Sequence, residues 1–207
     1  MITIPDFDRL YESDPDPWRV ATSWYERRKI EVVLACLRRD RYRLAWDAAC
    51  GTGELVAGLA SRCDRILASD ASAQACALTA ARCAGVPTVG VERVVAPALP
   101  EAFVGRPGAS AQPGPDLIVL SEFLYYLDDA DRALTAARVA QVAAPGADVL
   151  AVHWTPQPED AHLPGVQVHL ELDEALLGRG WGRLVSHRDI EFVLTLWSTD
   201  VPARIGR

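Results

Sequence analysis

The sequence Asp47-Ala48-Ala49-Cys50-Gly51-Thr52-Gly53 follows a short apolar run, Leu44–Trp46, that predicts a buried strand. An acidic residue at a strand end, followed by two glycines, is typical of a turn where the backbone approaches a ligand closely. Asp70 ends the next predicted strand, Arg65–Ser69, seventeen positions beyond Gly53. A carboxylate there can accept both hydroxyls of a ribose. The spacing therefore indicates a strand–turn–helix unit that binds a nucleoside.

The glycine spacing separates this turn from two other nucleotide-binding motifs. The dinucleotide pattern G-x-G-x-x-G requires a glycine where the chain has Val56, and Gly58 comes two residues too late. No G-x-x-x-x-G-K-[ST] loop occurs either. These departures argue against a bound pyrophosphate and favour S-adenosylmethionine. Asp47 is placed to meet the α-amino group of that ligand, and Asp70 its ribose.

Strand-like and helical patterns alternate along the rest of the chain. Helices are predicted over Trp24–Leu37 (capped by Ser23), Leu55–Arg62, Ser72–Ala84, Asp129–Ala144 and Leu172–Leu177, and further strands over Val89–Val95, Leu117–Leu120, Val149–His153, Gly182–Ser186 and Phe192–Trp197. Within residues 1–20, the prolines of Asp14–Trp18 predict an extended acidic segment, and residues 97–115 predict an irregular connection. The alternation predicts an α/β fold: a mostly parallel seven-stranded sheet with helices on both faces and an antiparallel C-terminal hairpin.

The acid-x-x-x-Gly-x-Gly pattern and the acid after the second strand, within Leu44–Asp70, resemble the Rossmann-like class I methyltransferases. The resemblance extends over the whole chain, because that fold also ends in an antiparallel hairpin. More narrowly, the chain resembles the nodulation protein S family in Asp16-Pro17-Trp18, in Ser23-Trp24-Tyr25-Glu26, and in the run Asp116–Leu127. Members of that family methylate a free amine on a glucosamine-type oligosaccharide.

This resemblance implies a cofactor cleft at the carboxyl ends of the strands. The cofactor-binding residues expected are Trp18, Asp47, Cys50, Gly51, Gly53, Asp70, Ala71, Ser121 and Phe123. Residues 1–40 are expected to act as a lid on a core formed by residues 41–207, with Trp18 closing on the cofactor. Tyr25 and a basic residue among Arg19, Arg27 and Arg28 would meet the methionine carboxylate. Residues 94–100 carry no acid, so no side chain is assigned to the adenine.

Two candidate catalytic residues follow the fourth and fifth strands. Glu122 comes directly after a buried apolar strand, where an acid is costly unless it is partnered or useful. We therefore expect it to bind the substrate or to accept its proton. His153 ends the fifth strand and titrates near neutrality, so it is a second candidate, with a hydrogen-bonded core histidine as the alternative interpretation. The four histidines lack metal-ligand spacing, and no metal is expected.

Length and composition restrict the class of protein. The 207 residues fit one domain, and 21 basic against 28 acidic residues leave no basic face for nucleic acid. Five cysteines without a CxxC pair indicate a reducing compartment. No apolar window reaches the roughly 18 residues of a membrane span, and residues 1–8 lack a signal layout. We therefore expect a cytoplasmic protein with a small-molecule partner; the sequence does not indicate the oligomeric state.

The leading hypothesis is N-methylation of an amine on a small molecule, such as an amino sugar or a natural-product intermediate. O-methylation within the same fold is the first alternative. A nicotinamide-dependent reductase is disfavoured by Val56, which stands where the dinucleotide pattern requires a glycine. A noncatalytic nucleoside-binding protein is disfavoured by the intact Asp47, Gly51, Gly53 and Asp70.

Overall fold

A seven-stranded sheet forms the centre of the computed structural model, which describes residues 4–104 and 114–200. The strands are β1 (Tyr42–Asp47), β2 (Cys63–Asp70), β3 (Val89–Arg93), β4 (Leu117–Ser121), β5 (Asp148–Trp154), β6 (Gly182–Arg188) and β7 (Phe192–Ser198), in the order β3-β2-β1-β4-β5-β7-β6. Strands β1 to β5 are parallel, and β7 runs antiparallel to both β5 and β6. The predicted sheet and its C-terminal hairpin are confirmed.

In the described part of the chain, six α-helices accompany the sheet: α1 (Phe7–Ser13), α2 (Trp24–Cys36), α3 (Glu54–Leu59), α4 (Ala73–Arg82), α5 (Asp129–Val142) and α6 (Gly165–Leu177). Helices α2 and α3 bury apolar side chains against one face of the sheet, and α5 and α6 against the other. Strand β4 lies between these layers, and its residues Leu117–Leu120 are fully buried, as its continuous apolar run predicts. Within the two described segments, none of the helices has the length and apolarity needed to cross a membrane.

Three elements differ from the sequence-based expectations. Helix α1 was not predicted; it ends before the first proline of Asp14–Trp18, and Asp6 caps its first turn. Helix α6 begins at Gly165 rather than Leu172, directly after Pro164, which suits the start of a helix. The connection predicted over 97–115 contains a short 3₁₀ turn, Glu101–Phe103, and lies partly outside the described residues.

The strand order reverses between β1 and β4, and this reversal positions the site. The connections leaving β1 and β4 diverge to opposite sides of the sheet, which leaves a crevice at their carboxyl ends. The loop after β1 is anchored to the neighbouring strand β2 beside this crevice, because the Cys50 amide donates to the Ser69 carbonyl at 2.9 Å.

Candidate functional site

A cavity of about 710 Å³ lies at this crevice, with the N-terminal segment on its other side. Of the residues predicted to bind the cofactor or substrate, nine line it: Trp18, Asp47, Cys50, Gly51, Asp70, Ala71, Ser121, Glu122 and Phe123. Gly53 and His153 do not. The sequence therefore brings most of its candidate residues together in one cavity.

The two glycines of the loop after β1 serve different purposes. Both have positive φ, +53° at Gly51 and +85° at Gly53, a backbone conformation that residues with side chains rarely adopt. A Cβ atom on Gly53 would lie 2.9 Å from Thr79 Oγ1 of α4, so this glycine allows the turn to pack against α4. A Cβ atom on Gly51 would lie 3.3 Å from the Tyr11 hydroxyl, at the cavity. Of the two, Gly51 is the one that lies at the ligand side.

Asp70 ties the end of β2 to the loop after β1. Its Oδ2 accepts from the Gly51 amide at 3.0 Å and its Oδ1 from the Ser72 amide at 2.9 Å. Burial raises the pKa of Asp70, although these amides oppose the rise. Each oxygen keeps a second lone pair, which is free to accept from a ligand hydroxyl.

Asp47 is a buried carboxylate with little compensation. It is 1 % exposed, and within the described residues its one hydrogen bond comes from the Ala49 amide at 3.4 Å. Burial, with a smaller contribution from nearby Asp70, raises the pKa of Asp47 to about 7. A buried acid without a cationic partner is costly, so its position in the cavity wall suits a ligand that brings a positive charge.

The N-terminal segment packs over the loop through aromatic contacts. Phe7 meets Tyr126 edge-on with ring centroids 5.1 Å apart, and Tyr11 meets Trp18 in the same way at 5.6 Å. On α1, Asp8 accepts from the hydroxyl of Ser72, the N-cap of α4, at 2.6 Å. These contacts hold α1 against the rim of the cavity.

Of the three arginines predicted to meet a carboxylate, only Arg19 lines the cavity. Arg27 donates to the Thr22 carbonyl at 2.8 Å. Arg28 pairs with Asp189 at 2.5 Å, in the turn between β6 and β7. Arg19 has a φ of +57° and an exposed side chain.

Glu122 occupies the opposite half of the cavity and is held from three directions. Lys29 Nζ lies 2.6 Å from its Oε1, while the Tyr125 hydroxyl and the Trp154 amide each donate to its Oε2 at 2.8 Å. Its φ of +57° is unusual for a residue with a side chain. These contacts supply the partners that a buried acid requires.

Sequence reasoning missed Lys29, the chain's single lysine beside twenty arginines. It is 7 % exposed and also pairs with Glu26, with Nζ 2.8 Å from Oε2. A helical spacing of four places Tyr25, Lys29 and Val33 on one face of α2, and Val33 is an apolar residue of the kind that faces a core. That spacing was the signal that could have identified Lys29.

His153 lies behind the cavity wall rather than in it. Its side chain is fully buried, with Nδ1 3.2 Å from His169 Nε2, and His169 Nδ1 lies 2.8 Å from Thr195 Oγ1. Burial and the charge of Lys29 lower the pKa of His153 to about 3, so its imidazole is neutral at physiological pH. This placement matches the alternative interpretation, a hydrogen-bonded core histidine.

Comparison with known proteins supports the methyltransferase family that the sequence resembles. The family model described as "Methyltransferase domain" matches residues 46–149. A sequence comparison with curated proteins finds no match. Among solved structures, a protein from Pseudomonas syringae described as a methyltransferase is 38% identical, with 85% of this chain and 99% of that chain covered and a TM-score of 0.68.

Two more distant structures share the fold. N-methyltransferase NodS from Bradyrhizobium japonicum WM9, in complex with S-adenosyl-L-homocysteine, is 17% identical, with 95% and 100% of the two chains covered and a TM-score of 0.73. The DhpI–SAH complex is 21% identical, with 92% of each chain covered and a TM-score of 0.66. The chain therefore belongs to the methyltransferase-domain family, and its fold is that of the class I methyltransferases.

Proposed function

We propose that this enzyme methylates an amine nitrogen of a small molecule, and that its cofactor is S-adenosylmethionine, held by the loop after β1. The observation that carries the proposal is the charge of the cavity wall. Eight acidic residues line the cavity against two basic ones: Asp16, Glu26, Asp47, Glu54, Asp70, Glu122, Asp160 and Glu191 against Arg19 and Lys29. Such a wall attracts cations, and an alkylamine is a cation at neutral pH.

The residues of the loop half fit S-adenosylmethionine. Asp47 is a buried carboxylate in need of a cation, which suits the α-amino group of the methionine part. Asp70 keeps free lone pairs for the ribose hydroxyls. Gly51 presents backbone without a side chain at the cavity. Cys50, Ala71, Ser121 and Phe123 complete this half, with Trp18 and Arg19 covering it from the N-terminal segment.

The cofactor, when bound, supplies an electrophilic methyl group on a sulfonium. The work of the protein is then to align the acceptor and to exclude water. Aromatic side chains perform the second task, because Phe7, Tyr11, Trp18 and Tyr126 cover the cavity on its N-terminal side. An amine acceptor must also lose a proton before its lone pair can react, and a carboxylate in the wall can take it.

Glu122 lies in the half of the cavity opposite the loop after β1, and its contacts hold it in place there. Its Oε2 accepts two hydrogen bonds and its Oε1 faces Lys29, so it fixes the negative charge beside the end of β4. We assign Glu122 to organising the acceptor region. His153 is not part of the proposal, since it lies outside the cavity and its imidazole is fully buried.

The test is a comparison of acceptors with S-adenosylmethionine carrying an isotopically labelled methyl group. Glucosamine and simple alkylamines are offered beside their hydroxyl counterparts, glucose and alkyl alcohols, and the product is read by NMR. The expected result is a label on nitrogen with the amines and no transfer to the hydroxyl compounds. Transfer to oxygen alone would contradict the proposal and leave the cofactor assignment intact.

A further inference from the structure

The acceptor half of the cavity contains a group of charges centred on Lys29. Its ammonium lies between two carboxylates, 2.6 Å from Glu122 Oε1 and 2.8 Å from Glu26 Oε2. Two negative charges and one positive charge leave a net charge of −1 beside the cavity. Because the charge is mostly removed from water, it favours binding one further cation.

The two carboxylates differ in what they can still accept. Glu122 already accepts from Lys29, Tyr125 and the Trp154 amide. Glu26 accepts from Lys29 alone within the described residues, while its side chain is 14% exposed and lines the cavity. Burial raises the pKa of Glu26, a change that Lys29 opposes. Of the two acids, Glu26 therefore has the free lone pairs.

Lys29 itself cannot be the proton acceptor. Burial alone lowers its pKa, but the charges of Glu122 and Glu26 outweigh burial and leave the pKa above its ordinary value. It therefore remains an ammonium. A lysine suits this place better than an arginine, because a compact point charge fits between two carboxylates more closely than a planar fork does.

A second unsatisfied group lies next to Glu26. The hydroxyl of Tyr25 is buried and has no hydrogen-bond partner in the part of the chain that the structure describes, although the residue lines the cavity. A buried hydroxyl without a partner is costly, so this position suits a ligand that completes it. The ring of Tyr25 is fixed edge-on against Phe192, with centroids 6.2 Å apart.

We infer that Glu26 and Tyr25 form the amine subsite: the Glu26 carboxylate accepts a hydrogen bond from the acceptor's ammonium, takes its proton, and the Tyr25 hydroxyl accepts a second N–H. The proton leaves nitrogen for Glu26, and the freed lone pair then forms the new N–C bond while the S–C bond of the cofactor breaks. Lys29 and Glu122 are positioning residues that hold the Glu26 carboxylate at the cavity. This inference rests on the proposed function.

Sinefungin tests the subsite without a known acceptor. It resembles S-adenosylhomocysteine but carries an ammonium-bearing carbon in place of the sulfur, so its charge points to the acceptor side. Calorimetry with both ligands on the full chain gives an affinity ratio for each variant. In the wild type we expect sinefungin to bind about tenfold more tightly than S-adenosylhomocysteine, as one charge-assisted hydrogen bond predicts.

Glu26→Gln should remove about tenfold of the sinefungin affinity and leave S-adenosylhomocysteine affinity unchanged. Tyr25→Phe should act in the same direction by about threefold, the loss of one neutral hydrogen bond. Glu31→Gln, on the exposed side of the same helix, is the matched control and should change neither. If Glu26→Gln binds both ligands with the same affinities as the wild type, the inference is overturned.

Different results would contradict amine methylation and the amine subsite of Glu26 and Tyr25. A wild-type protein that binds S-adenosylhomocysteine, and binds sinefungin no more tightly, would count against amine methylation itself. If Glu26→Gln loses both ligands equally, the variant has lost its fold, and Tyr25→Phe decides: a reduced ratio supports the subsite and an unchanged ratio overturns it.

Discussion

At the scale of single residues, Asp47 sets ligand affinity against stability. Its pKa is about 7 in the folded chain and 3.8 ordinarily, so the folded state binds a proton that the unfolded state releases between these values. Stability therefore falls as the pH rises through this window. We expect Asp47→Asn to stabilise the ligand-free protein by roughly 2 kcal/mol at pH 8 and by little below pH 4. Thermal unfolding at both pH values measures the difference.

The same ionisation predicts the pH dependence of cofactor binding. The charged form of Asp47 is the form that attracts an ammonium, so the affinity for S-adenosylhomocysteine should rise from pH 6 to pH 8, by up to about tenfold. Asp47→Asn should bind more weakly and show a flat profile over this range. An unchanged slope in the variant would assign the titration to another group.

Gly51 gives a prediction about shape rather than charge. Gly51→Val places a branched side chain at a φ of +53°, with its Cβ 3.3 Å from the Tyr11 hydroxyl. We expect cofactor binding to be lost while the helical circular dichroism signal stays largely intact, with a cost of about 1–2 kcal/mol for the backbone strain. Gly85→Val is the control, because nothing lies within 4 Å of a Cβ atom there. If Gly51→Val binds normally, the ligand does not approach this backbone.

The sequence identified the cofactor half of the cavity better than the acceptor half. Asp47, Gly51 and Asp70 lie within one strand–turn–strand unit, so local spacing was sufficient to find them. The contact between Lys29 and Glu122 joins residues 93 positions apart, and no local pattern specifies it. His153 was ambiguous for a related reason. Whether a side chain at a strand end faces the cavity or the core depends on the residue at which the strand ends. The sequence alone does not specify the last residue of β5.

At the scale of elements, few contacts hold α1 to the core. The cavity keeps its N-terminal wall only while those contacts are made. Asp8 joins it to the N-cap of α4 through Ser72 and, at 3.3 Å, through the Gln74 amide. We expect Asp8→Ala to destabilise the packing of α1 on α4, to weaken cofactor binding and to speed proteolytic cleavage in the N-terminal segment. Limited proteolysis with and without S-adenosylhomocysteine measures the change.

Arg9→Ala is the matched control for Asp8→Ala, because its side chain is 84% exposed on the same helix and pairs only with Asp6 within the described residues. Protection by the ligand in the wild type and not in Asp8→Ala would support a lid role for α1. Equal cleavage with and without ligand in the wild type would contradict it.

Elements with strong periodicity were predicted well and those near prolines were not. Helix α2 was predicted within one residue, since Ser23 and the apolar positions of the helix agree. Helix α1 was not predicted: it has only seven residues, and it ends directly before the proline-containing segment Asp14–Trp18. For α6, the proline-rich sequence before Leu172 obscured a helix that starts directly after Pro164.

At the scale of the whole molecule, the two ends of the parallel strands have different tasks. Asp148, at the amino end of β5, is fully buried and accepts from the Tyr42 hydroxyl at 2.7 Å and from Arg38 Nε at 2.9 Å. Arg38 also reaches Ser198 and Asp200, so this group joins α2, β1, β5 and the end of β7. Unlike Asp47, this buried acid has its cation within the chain.

This difference between Asp148 and Asp47 predicts that substitutions at the amino ends of the strands change stability, whereas substitutions at the carboxyl ends change ligand binding. Arg38→Ala leaves the Asp148 charge buried with a weaker partner, so we expect a loss of about 2–4 kcal/mol with no change in the affinity for S-adenosylhomocysteine. Arg41→Ala, which breaks an exposed pair with Asp64, should cost much less stability than Arg38→Ala. Asp47→Asn should do the reverse of Arg38→Ala and raise the melting temperature while binding weakens. If Arg38→Ala also weakened binding, the two ends of the sheet would be coupled, and stability could not serve as a separate readout for the site.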